Sequence, residues 1–138
     1  KILLLQILKI LALAPDVEIL NKQPAGNKSL AKELHRMQLV YSYVENNFEH
    51  NPDVNEIARQ VHLTTPAFCR IFKKNTKMTF TDFVNQYRVN QAKNYLLQDK
   101  SVSEACFAVG FDSLSYFNKL FRRMVGENPS EFKKQYLR

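Results

Sequence analysis

Glu56-Ile-Ala-Arg-Gln-Val-His-Leu-Thr-Thr-Pro-Ala-Phe-Cys-Arg-Ile-Phe-Lys-Lys74 and Glu104-Ala-Cys-Phe-Ala-Val-Gly-Phe-Asp-Ser-Leu-Ser-Tyr-Phe-Asn-Lys-Leu-Phe-Arg-Arg123 are two versions of one pattern. Val61 pairs with Val109 and Leu63 with Phe111 at an offset of 48. Beyond the turn the offset becomes 49, pairing Phe68 with Phe117, Arg70 with Lys119, Phe72 with Phe121, and Lys73-Lys74 with Arg122-Arg123. Each copy reads as a short helix, a tight turn, and a longer helix with two aromatics on its core face and basic residues outward. That is the outline of a helix-turn-helix. A repeated helix pair can also scaffold protein contacts, but two copies joined by a long helix do not stack into a solenoid.

Working outward from the repeat, the apolar residues keep helical spacing from Leu34 onward, and no segment alternates as a strand would. A first helix is expected over about 34–46, with Met37, Val40, Tyr41 and Val44 on one face. Asp53 with Glu56 reads as a reciprocal cap, as does Ser101 with Glu104. Thr64-Thr-Pro66 opens another helix, because proline is tolerated in a first turn. A long helix is expected over about 79–98, built on Phe80, Phe83, Val84, Tyr87, Gln91 and Tyr95. Ser113 starts the next, and Asn128-Pro129 with Glu131 the last. The expected fold is all-α: two helix-turn-helix subdomains joined by a long linking helix, about seven helices in all, plus an apolar helix at the N-terminus.

That N-terminal segment, Lys1-Ile-Leu-Leu-Leu-Gln-Ile-Leu-Lys-Ile-Leu-Ala-Leu-Ala14, looks superficially like a signal peptide. Gln6 and Lys9 interrupt its apolar run, it is too short to span a bilayer, and the chain lacks an initiator Met. We read it as a helix whose broad apolar surface needs a partner, either an upstream domain or a second copy of itself. After a second apolar piece at 17–20, the stretch Asn21-Lys-Gln-Pro-Ala-Gly-Asn-Lys-Ser29 has linker composition.

Composition narrows the function. The 138 residues suit one domain plus a tail, and 45% hydrophobic with 24% charged residues is the balance of a folded protein. Three glycines rule out phosphate-cradling glycine loops. His35, His50 and His62, with neither a CxxC nor an HExxH pattern, offer little for a metal site. Cys69 and Cys106 cannot make a disulfide framework, so a reducing, cytoplasmic setting is expected. No catalytic residue, metal or cofactor is expected. The net charge of +7 is unevenly spread. Residues 59–98 hold Arg59, Arg70, Lys73, Lys74, Lys77, Arg88 and Lys93 against Asp82 alone, whereas residues 1–58 are net −1 and residues 99–138 net +2. A basic concentration of this kind attracts polyanions through counterion release, although a merely solvated basic surface has the same composition. Joined to the repeated helix pair, it points to duplex DNA.

Residues 34–138 resemble the DNA-binding domain of the AraC/XylS family of bacterial transcription regulators. The matching runs are Ile57-Ala58 through Phe68-Cys-Arg-Ile-Phe-Lys-Lys74, Thr79-Phe80 through Tyr87-Arg88-Val89 with Ala92, and Val109-Gly-Phe-Asp-Ser113 through Ser115-Tyr-Phe117. Phe121, Gly126, Pro129 and Phe132 complete the set. The resemblance implies residues 1–20 as the C-terminal helical remnant of an effector and dimerisation domain, 21–33 as a linker, and helix-turn-helix units at about 53–77 and 101–126. It implies sequence-specific binding of a double-stranded promoter site by two recognition helices in successive major-groove segments. It also implies transcriptional activation, RNA polymerase as a further partner, and a homodimer through the N-terminal helix. Two departures stand out. Lys77 occupies the place of a usual glycine that Gly126 keeps in the second copy, and His62 occupies the turn position of Gly110.

By the same resemblance, the base-reading positions are Thr65, Pro66, Cys69 and Arg70 in the first recognition helix, and Leu114, Ser115, Asn118 and Lys119 in the second. Lys73, Lys74, Arg122 and Arg123 fall where phosphate contacts are expected. The chemistry of these side chains fits. The Arg70 guanidinium can bind guanine O6 and N7 with two hydrogen bonds, unless a surface ion pair holds it. Asn118 can pair with adenine, and Lys119 suits either a guanine or a phosphate. Phe68, Phe72, Phe117 and Phe121 are assigned to the core. Arg88 is left between a structural ion pair and a phosphate contact. The alternative to DNA readout is a helical adaptor that binds protein with the same helices.

Overall fold

A computed structural model of the chain describes residues 24–137. The apolar segment near 2–13 and the short piece at 17–20, with the helix and dimer expected of them, lie outside the described residues. Among the described residues are seven helices and no strand. They are α1 (Pro24–Asn47), α2 (Val54–Gln60), α3 (Thr65–Thr76), α4 (Phe80–Leu97), α5 (Val102–Ala108), α6 (Leu114–Val125) and α7 (Pro129–Tyr136).

The repeat is now visible as geometry. α2 and α5 both have seven residues, and α3 and α6 both have twelve. The first turn holds residues 61–64 and the second 109–113. The extra residue in the second turn is why the sequence offset grows from 48 to 49. The caps are mostly those read from the sequence. Thr64, Thr79, Ser113 and Asn128 each accept a backbone N–H at the start of their helices, and Ser101–Glu104 forms a full capping box. Asp53 does cap α2, accepting from the Asn55 N–H at 2.9 Å. Glu56 does not complete a box, because the Tyr43 hydroxyl already accepts the Asp53 N–H at 2.9 Å.

One boundary differs from expectation. α1 begins at Pro24 rather than near residue 34, so most of the segment with linker composition is helical. Pro24 costs nothing where a first-turn N–H has no partner, and Leu30, Ala31, Lys32 and Glu33 are good helix formers. Glu33 then ties this early turn to the rest, accepting from Arg36 at 3.1 Å and from Asn75, near the end of α3, at 2.8 Å.

Two hydrophobic cores share one helix. Phe80, Phe83, Val84 and Tyr87 from the first half of α4 join Met37, Val40, Val44, Ile57, Phe68 and Phe72. Val89, Ala92 and Leu96 from its second half join Cys106, Val109, Phe111, Phe117, Leu120, Phe121 and Phe132. The four aromatics assigned to the core from the repeat are at most 3% exposed, and each such burial stabilises by about 1.5–3 kcal/mol. Phe48 packs against both cores. Asn85, Gln86 and Asn90 are buried on α4 near the junction. Among the described residues the Asn90 amide nitrogen is buried without a hydrogen-bond partner.

Candidate nucleic-acid interface

On a helix, residues four apart share a face, and α3 and α6 use this in the same way. With Phe68, Phe72 and Thr76 buried, α3 turns Pro66, Cys69, Arg70, Lys73 and Lys74 to solvent. With Phe117, Leu120 and Phe121 buried, α6 exposes Ser115, Lys119, Arg122 and Arg123, with Leu114 and Asn118 half-buried along the same edge. Every residue assigned from the sequence thus falls on one of two matching stripes, each opposite a core face. The basic pairs Lys73-Lys74 and Arg122-Arg123 close the last turns of their helices, where they also complement the helix dipole.

The stripes differ in detail. Thr65 is half-buried, and its hydroxyl donates to Asn55 Oδ1 at 2.7 Å, so it faces α2 as much as solvent. Arg70 makes no ion pair among the described residues, which leaves its guanidinium free for a ligand. Cys69 is an exposed free thiol and Cys106 a buried one, and burial pushes the Cys106 thiol pKa up. On the second stripe the Tyr116 hydroxyl accepts from the buried Asn85 amide at 3.2 Å, fastening α6 to α4. A groove of about 470 Å³ runs beside α6, lined by Asn118, Lys119 and Arg122 together with Asn128, Pro129 and Ser130 from the start of α7. The approach of α7 to this stripe was not legible in the sequence. The cap at Asn128–Glu131 marks where α7 begins, not what it lies against.

Arg88 makes no ion pair among the described residues, and its fork goes to the backbone instead. Its Nε donates to the Phe48 carbonyl at 2.7 Å and its Nη2 to the His50 carbonyl at 2.6 Å. Burial lowers its pKa, an effect that the Asp112 carboxylate offsets in part. Among the described residues no cluster of His, Cys, Asp or Glu is placed to hold a metal ion, and no helix is long and apolar enough to cross a membrane.

Residues 57–135 match the helix-turn-helix domain family in its AraC-type form. The chain belongs to the AraC-type helix-turn-helix family. It is 31% identical over 100 residues to an uncharacterised HTH-type transcriptional regulator, in the cgkA 5′ region, of Pseudoalteromonas carrageenovora. That match covers 72% of this chain and 60% of the relative, and the chain spans less than half the length of further curated relatives. Among solved structures it is similar to a Chromobacterium violaceum transcriptional regulator described as having an AraC-type DNA-binding domain. The TM-score there is 0.69 at 25% identity, covering 81% of this chain and 96% of the other. It is also similar to the DNA-binding domain of the global transcriptional factor AdpA in complex with a target DNA. There the TM-score is 0.66 at 26% identity, covering 73% and 91%. This AraC-type domain therefore carries both of its family's helix pairs, with all twelve of the assigned residues on α3 and α6.

Proposed function

We propose that this AraC-type domain, residues 34–138, reads an asymmetric double-stranded DNA site in the cytoplasm and thereby regulates transcription, as an activator. Arg70 is the main base reader of the first unit, with Thr65, Pro66 and Cys69 supplying apolar and weak polar contact. Asn118 and Lys119 read bases in the second unit, beside Leu114 and Ser115. Lys73, Lys74, Arg122 and Arg123 hold phosphates. Residues 1–20 are the end of an effector and dimerisation domain that pairs two copies, and RNA polymerase is the further partner.

The observation that carries this reading is the matched pair of exposed stripes, each opposite a core face on a helix of the same length. α4 has 18 residues, about 27 Å at about 1.5 Å per residue, against about 34 Å between successive major-groove segments on one side of a duplex. The linking helix is thus of the same order as that separation, somewhat shorter, which supports one chain serving two adjacent segments. The AdpA domain was solved on a target DNA, which supports the same use here.

The test is selection of duplexes from a random pool, then titration of the winner at about 50 and about 200 mM salt. The expected result is a site with two separated blocks, and an affinity loss of roughly 10³–10⁵ between the two salts for six to ten phosphate contacts. Arg70→Ala should relax only the first block, at a cost of about 1–3 kcal/mol, and Lys119→Ala only the second. Enrichment of no sequence at all would put the protein-binding adaptor ahead.

A further inference from the structure

The two cores meet at a single loop. Phe48, just past α1, packs its ring against both hydrophobic clusters and stands 5.0 Å from the Tyr87 ring. Its carbonyl, with that of His50, is held by the Arg88 fork from the middle of α4. The same guanidinium lies 5.4 Å from the centre of the Phe111 ring, in the turn of the second unit. Gly110, next to Phe111, presses on the same loop. A Cβ there would come within 2.8 Å of the Phe48 carbonyl, 2.9 Å of the Glu49 carbonyl and 3.1 Å of Arg88 Nη2. The turn of the second helix-turn-helix therefore sits directly on the loop that leads into the first.

A planar guanidinium that donates in two directions fixes orientation as well as distance, which a point charge on a flexible stem does not. With an aromatic ring against it, Arg88 holds three things in one arrangement: the loop entering unit one, the linking helix, and the turn of unit two. We propose that Arg88 is a positioning residue that sets the spacing at which the two recognition helices meet DNA. The inference rests on the two-unit readout proposed above and deepens it. Arg88 touches no base in this scheme, since two of its donors are occupied by backbone carbonyls. What it contributes is the rigid phase between two readers. DNA punishes a wrong phase, because each added base pair turns the second block by about a tenth of a helical turn.

The experiment uses residues 1–138, the duplex selected by the wild-type protein, and versions of it with one base pair added to or removed from the spacer. Two single-block duplexes complete the set. Wild-type protein should lose at least about tenfold in affinity on either spacer change. Arg88→Met should flatten that dependence to within about threefold, while binding to single-block duplexes stays within about twofold. Circular dichroism and thermal melting of the free proteins run in parallel. If Arg88→Met does not fold, Arg88→Lys, which keeps the charge and stem but not the fork, takes its place with the same expectation. A variant that keeps the wild-type spacer preference overturns the inference, and so does one that weakens single-block and two-block duplexes equally, as a purely structural residue would. If the wild-type protein selects no two-block site, the two-unit reading fails and the role of Arg88 fails with it. A two-block site with unaltered spacing in the variants sinks the role of Arg88 alone.

Discussion

The two helix-turn-helix units have helices of equal length, but their turns are made differently. The first turn has four residues and passes through His62 at φ 61°, exposed to solvent. The second has five and passes through Gly110 at φ 101°, against two carbonyls of the loop after α1. The recognition helices end in the same contrast, on Lys77 at φ 64° and Gly126 at φ 99°. A side chain is tolerated in the left-handed region at modest cost, which is all the first unit asks. The second turn is itself a packing surface, and there even a methyl group has no space. At the turns, the two copies differ where one of them has an interior neighbour.

The largest expected effect lies at that neighbour. Gly110→Ala should destabilise the domain by about 3 kcal/mol or more, combining strained backbone with a clash against carbonyls that cannot swing aside. Gly126→Ala shares the positive φ but meets nothing within 4 Å, so it should cost only about 1 kcal/mol. Urea unfolding of both variants measures the difference, and equal costs would break the contrast between a packed turn and an open one. Smaller effects are expected of His62→Gly and Lys77→Gly, where relief of left-handed strain and a looser unfolded chain oppose each other, so each should change stability by no more than about 1 kcal/mol. A loss of several kcal/mol at His62 would mean that the first turn is packed after all.

The smallest expected effect separates the caps of α2 and α5. Hydrogen bonds from Ser101 hold the Glu104 carboxyl below its ordinary pKa of 4.5. A carboxyl depressed on folding adds stability above its unfolded pKa and loses it as pH falls through the folded value. The stability gap between wild type and Glu104→Gln should therefore narrow from about pH 6 to about pH 3. In α2 the corresponding N–H is capped by Tyr43, whose phenol is pushed up from its ordinary value by burial and changes no charge in that window. Tyr43→Phe should consequently cost the same at both pH values. Parallel melts at the two pH values would show whether the caps differ in this way.

Most of the fold was legible because its signals are local. Caps such as Thr64, Ser101 and Asn128 act over three residues, and the buried phenylalanines recur at helical spacing, so a single chain displays both. The solvent faces of α3 and α6 were legible for the same reason, since a helix with one known core face has a known opposite face, whereas the base-reading roles proposed for those faces came from the family resemblance. What escaped was long-range or conditional. Arg88 meets carbonyls 38 and 40 positions away, and nothing near it in sequence says so. Glu56 has the right type and spacing for a capping box, but a tyrosine ten residues before Asp53 took the partner it needed. The start of α1 was obscured because Gly26 and Asn27 look like linker, while the hydrogen bond that anchors that end comes from Asn75 on another helix.

The linking helix belongs half to each core, and this makes the two readers thermodynamically dependent. An isolated helix of 18 residues is marginal in water, so α4 persists because Phe80, Phe83, Val84 and Tyr87 are covered on one side of the junction and Val89, Ala92 and Leu96 on the other. Melting either core uncovers half of the support that the other rests on. Unfolding is then cooperative across both units, and a lesion deep in one reader lowers the occupancy of the other without touching it. For such a domain, a mutation's distance from the nucleic acid is a poor guide to its effect on binding.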